Sequence, residues 1–149
     1  MTLRRPLTPG EIEIARSVFG DSIDYGRVEI VRGKWWPFQP KDIVMAPSGN
    51  IHFHPKSNAY RDDFSKVGLP LQGLFIHEMT HVWQAQKGGK WFLPLARHPF
   101  CRYRYELKPG RAFGAYGLEQ QAEIVRHAYL AKQGQQIATV LPDDLLPFV

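Results

Sequence analysis

Two histidines four residues apart bracket a glutamate in the stretch His77-Glu78-Met79-Thr80-His81. On a helix, that spacing stacks both imidazoles one turn apart on one face, where they can bind a single tetrahedral zinc ion. Glu78, next to the first histidine, stands where a carboxylate can take a proton from an attacking water. A third ligand is needed. The three-histidine form of this pattern requires glycine at 84 and histidine at 87, and the chain has Gln84 and Lys87 there, so that class is excluded. Downstream, Glu119-Gln120-Gln121-Ala122-Glu123 places two carboxylates one helical turn apart at the edge of an apolar stripe. One of them can ligate the metal while the other holds a ligand histidine by its second ring nitrogen. A solvated acidic pair bridged to Arg126 is the plainer account of the same residues. Tyr103, Tyr105 and Tyr116 precede this stretch, and a phenol there can donate to the oxyanion of a tetrahedral intermediate; Tyr105 and Tyr116 are the candidates.

These groups must be carried by particular elements. From Leu71 to Lys87 the apolar period is helical, with Phe75, Ile76, Met79, Val82 and Trp83 on one broad side, His77 and His81 on the other and Glu78 on the flank. A helix apolar over so much of its girth is expected to be central. A second helix, about 116–132, would carry the glutamates, with Leu118, Ala122, Val125 and Tyr129 as its apolar stripe. An earlier helix opens at Thr8-Pro9-Gly10-Glu11, an N-cap threonine with proline at the first helical position and glutamate three after the cap, and ends at Gly20. Arg27 to Trp35 and Ile51 to His54 read as strands, with Ile43 to Ala46 a short apolar run between them. Together they suggest a small antiparallel sheet of two to four strands. Single residues elsewhere have plain readings: His52, His54 and His127 as surface histidines, Trp35, Trp36 and Trp91 as core, and Arg61-Asp62-Asp63 as a loop ion pair. Cys101 reads as an unreactive buried or loop cysteine.

Composition bounds the rest. A chain of 149 residues, 44% hydrophobic and 13% aromatic, is globular in composition and fits one domain, 1–149, with one core. No apolar run approaches the roughly 20 residues of a membrane span. Arg4-Arg5 has no apolar stretch behind it, so no export signal is expected and synthesis in the cytoplasm is. The net charge of +5 is scattered and accompanies no nucleic-acid motif. One cysteine excludes an internal disulfide and a cysteine-based zinc site.

A linked set of motifs adds to this reading: Leu7-Thr8-Pro9-Gly10-Glu11-Ile12, Phe19-Gly20-Asp21-Ser22-Ile23-Asp24-Tyr25, Tyr60-Arg61-Asp62-Asp63-Phe64, Phe75 to Gln84, and Tyr116 to Ile124. Over about residues 6–130 the chain resembles the metallopeptidase domain carried by some type VI secretion spike (VgrG) proteins and by small free-standing Vgr-related proteins. The resemblance implies a small α+β, zincin-like domain with a gluzincin-like Zn2+ site. His77, His81 and Glu119 would be ligands, Glu78 the catalytic base, and Glu123 the partner of a ligand histidine. It further implies an antibacterial effector that hydrolyses protein or peptide in the periplasm of a target bacterium. A spike component or carrier and an immunity protein would be its partners. A zinc-stabilised toxin without proteolysis, or a spike-docking module, is the alternative.

Overall fold

The computed structural model describes residues 2–88 and 103–148; Trp91 and Cys101 lie outside the described residues. Helix α1, Pro9–Phe19, begins where its residues satisfy its free amides. Thr8 Oγ1 accepts from Glu11 N (3.1 Å), and Glu11 Oε1 accepts from Thr8 N (2.9 Å). Glu11 does more than cap. Its side chain is buried, paired with both terminal nitrogens of Arg5 (2.9 and 3.0 Å), and accepts from Phe64 N (2.8 Å). One carboxylate thus ties the N-terminal strand, α1 and the turn at 64–66 together. Gly20 ends the helix with φ 55°, a conformation other residues adopt at a cost.

The sheet has three strands in the order β1 (Leu3–Pro6), β2 (Glu29–Arg32), β3 (Ile51–Phe53). It is mixed, which corrects the antiparallel expectation. β1 runs antiparallel to β2, but β2 and β3 are parallel, with Ile30 opposite Ile51 and Arg32 opposite Phe53. The alternation of residue types along a strand carries no direction, and the segment 33–50 is long enough for the chain to return in the same sense. The apolar run at 43–46 contributes one antiparallel bridge, Met45 to His52. His52 is therefore not a surface residue: at 7% exposed it is covered on β3, between β2 and the bridge to Met45. Burial lowers its pKa, a backbone contact from Gly33 only partly offsetting this. Trp36, at 43% exposed, is outside the core and packs edge-on to Phe38. Arg61 bonds the carbonyls of Asn58 and Tyr60, while Asp63 accepts from Ser65 and from Thr8 at the α1 cap, so the expected loop ion pair gives way to turn bonds and one bond to α1.

Helix α2, Leu69–Gly88, is the central element, buried at nearly every position from Phe75 to Ala85. An aromatic stack joins it to the sheet. Phe53 on β3 lies 5.6 Å from Phe64, and Phe64 lies 5.7 Å from Phe75 on α2, the rings near parallel in each pair. The other side of α2 meets helix α3, Leu118–Lys132. Their contacts pair early residues of one with late residues of the other: Gly73 with Leu130, His77 with Glu123, His81 with Glu119. The two helices are therefore antiparallel neighbours. At the far end, Phe148 packs against Phe19 (4.7 Å) and Trp83 (5.0 Å), seating the tail on α1 and α2. The described residues form a small α+β fold of three helices and a three-stranded sheet.

Candidate metal centre

The side of α2 that is not apolar presents His77 and His81 to α3, because residues four apart share a helix face. Glu119, in the first turn of α3, faces both. Its Oε1 lies 3.2 Å from His77 Nε2 and 2.7 Å from His81 Nε2. These residues are 7%, 2% and 1% exposed, so water cannot screen the charge they carry. One ligand atom from each lies within 4.8 Å of the others, a grouping that could hold a metal ion.

The outer nitrogens decide what the inner ones can do. His81 Nδ1 contacts Gln84 Oε1 at 2.8 Å. Gln84 Nε2 donates to Leu118 O (3.1 Å) and Gln121 Oε1 (3.0 Å), and Gln121 Nε2 donates to Tyr116 O (2.8 Å). This chain fixes the Gln84 amide with its oxygen toward His81, so His81 Nδ1 carries the proton. His77 Nδ1 likewise faces the carboxylate oxygen Glu123 Oε2 at 3.1 Å. In the neutral imidazoles, both Nε2 atoms then turn lone pairs toward the carboxylate oxygen of Glu119. Three lone-pair donors facing one another repel unless a proton or a cation lies among them, and this is the fit such a donor set has for a metal ion. A proton on His77 serves the same end: although burial pulls His77 down, its bonds to Glu119 and Glu123 outweigh that and lift its pKa to about 9. Burial pushes Glu123 up, but the His77 bond and the nearby Arg126 (3.3 Å) outweigh it and hold the carboxyl below the usual range.

Glu78 is buried beside His77 on α2. The three tyrosines divide. Tyr103 lays its ring along that of His77, centroids 6.0 Å apart and planes 18° apart. Tyr105 directs its hydroxyl to His127 Nδ1 (2.5 Å), and burial together with Glu123 raises its pKa to about 12. The buried Tyr116 accepts from Lys108 N at 3.1 Å, closing the turn before α3. His127 is half-buried by its contact with Tyr105 and so is not a plain surface residue. Gln84 and Gln121 are the participants the sequence reading did not assign. The one signal available was Gln84 standing three residues after His81, on the histidine face.

No family model matches the chain. The chain is 45% identical over 134 residues to the type VI secretion system spike protein VgrG2b of Pseudomonas aeruginosa. That match covers 86% of this chain and 13% of the relative, so the chain corresponds to a small part of that protein. Among solved structures, the effector domain of Pseudomonas aeruginosa VgrG2b superposes with a TM-score of 0.76 at 43% identity, covering 87% of this chain and 75% of that one.

Proposed function

The chain belongs to the family of the VgrG2b effector domain, and from that premise we propose that it is a zinc-dependent metallopeptidase of gluzincin type, acting as a type VI secretion effector. The observation that carries the reading is the convergence of two imidazole Nε2 atoms on the Glu119 carboxylate, with both Nδ1 atoms already committed to acceptors. Two nitrogens and one oxygen are a catalytic zinc donor set, three protein ligands that leave a position open. His77, His81 and Glu119 would hold the ion. When bound, zinc supplies Lewis acidity, polarising a peptide carbonyl and making water easier to deprotonate.

The chain's own residues would do the rest. Glu78 takes the proton of the attacking water and hands it to the leaving amine. Glu123 and Gln84 keep the ligand histidines in the tautomer that presents Nε2 inward. A phenol of the segment before α3 stabilises the oxyanion, Tyr105 and Tyr116 being candidates and Tyr103 the one whose ring lies against His77. The zincin-like fold is part of the same reading: a helix with both histidines, a helix with the glutamate, and a sheet packed behind. The spike-protein relationship supports delivery by a spike component or carrier, with action in the periplasm of a target bacterium and an immunity protein in the producer.

The test is Glu78→Gln, which alters neither proposed ligand nor net fold. The variant should retain zinc by elemental analysis yet lose peptide cleavage and the toxicity of periplasm-directed expression. Killing undiminished in a zinc-loaded Glu78→Gln protein would falsify the hydrolytic reading. Equal toxicity from the cytosol and the periplasm would remove the assigned site of action.

A further inference from the structure

Tyr103 does more than cover His77. It also lines an open cleft of about 880 Å³ that runs along residues 103–111 and the start of α3. Three cations line this cleft, Arg104, Lys108 and Arg111, against one carboxylate, Glu106. Their backbone is pinned. Gln120 Nε2 on α3 donates to Arg104 O (2.7 Å), and the buried Tyr116 hydroxyl accepts from Lys108 N (3.1 Å). Arg111 is held as well, its guanidinium 4.8 Å over the Tyr116 ring and donating once, to Ala115 O at 2.9 Å. A guanidinium has five N–H donors, so its fork keeps donors for a ligand while its position is already paid in stacking.

A cleft of this size, adjoining a buried metal-binding grouping and carrying excess positive charge on a fixed frame, has the form of a substrate subsite. We propose that it receives acidic side chains of the peptide substrate, so that Arg104, Lys108 and Arg111 set a preference for glutamate- or aspartate-containing peptides. The inference rests on the hydrolytic reading above and names its substrate class. The cations act by complementarity across an open cleft. Their effect is therefore a preference of about tenfold rather than an absolute requirement, and it shrinks as salt rises.

The test separates binding from turnover. Zinc-loaded Glu78→Gln protein is titrated with a short labelled peptide alternating glutamate and alanine, and with its glutamine counterpart. The glutamate peptide should bind about tenfold more tightly. Arg111→Gln and Lys108→Gln, both at exposed positions with folding checked by circular dichroism, should each narrow that gap about threefold. Wild-type protein should show the same ordering in kcat/KM. Equal affinity for the two peptides, or a gap unmoved by both substitutions, overturns the cleft assignment while leaving the hydrolytic reading intact. Discrimination in binding with no hydrolysis by wild type sinks the hydrolytic reading and retains the cleft. An oligonucleotide of equal charge that outcompetes the glutamate peptide also overturns the assignment.

Discussion

Each imidazole of the centre has one nitrogen held by an acceptor and the other turned toward Glu119, and removing either kind of partner has a different cost. Glu119→Ala deletes a proposed ligand, and zinc binding followed by calorimetry should be lost. Glu123→Ala and Gln84→Ala free an Nδ1 without removing a ligand, and each should weaken zinc by about 10–100-fold. Retention of the metal by Glu119→Ala and its loss from Glu123→Ala would exchange the two roles. The same geometry sets a pH dependence. Without metal, His77 keeps its proton up to a pKa of about 9. That raised pKa stabilises the metal-free fold fully below the ordinary 6.5 of an unfolded histidine, and the contribution is lost as pH rises through 9. A metal ion must displace this proton, so apparent affinity should climb about tenfold per pH unit below 9 and level off above it. Calorimetric titration at several pH values reads the slope, and a flat profile would show that His77 surrenders no proton.

At the level of elements, the centre depends on how closely α2 and α3 approach. Gly73 lies one turn before His77, and a Cβ there would meet Arg126 Cγ and the two Leu130 methyls, each at 3.4 Å. Gly73→Ala fits by a slight adjustment and gains helix propensity, so it should be neutral or stabilising by up to about 1 kcal/mol. Gly73→Leu cannot fit without parting the helices. It should cost about 1–3 kcal/mol in urea melts and weaken zinc as well, since the proposed ligands come from both helices. Intact zinc affinity in a destabilised Gly73→Leu protein would mean that the ligands do not depend on this contact. The elements differ in how far they could be read from the chain. The histidine pair, the α1 cap and the glutamate helix were legible because each depends on residues three or four apart. The parallel pairing of β2 with β3 was not, since residues 33–50 separate partners that share no local signature. β1 was hidden by Arg4 and Arg5, which give an edge strand no apolar alternation. The burial of Glu11 and the Gln84 chain were also beyond reach, because both are defined by partners distant in sequence: Phe64 in one case, Leu118 and Gln121 in the other.

Taken as a whole, the molecule has a continuous core from the sheet through the stacked phenylalanines to α2 and on to α3, with the tail closing over α1 and α2. The polar centre lies inside this core. The distance along the chain between its contributors then acquires a second meaning. His81 and Glu119 are 38 residues apart, so an ion shared by them would cross-link the chain, closing a large loop much as a disulfide does. By loop-closure entropy alone, such a link is worth up to about 4 kcal/mol. The closed loop contains Arg104, Lys108 and Arg111. On the proposed reading, chelation should therefore do more than remove a reagent: it should loosen residues 103–111, which line the cleft, and limited proteolysis within 103–111 should accelerate when zinc is withdrawn. If the hydrolytic proposal holds, the ion would be a staple as well as a catalyst, and a chelated protein would lose its grip on substrate along with its chemistry.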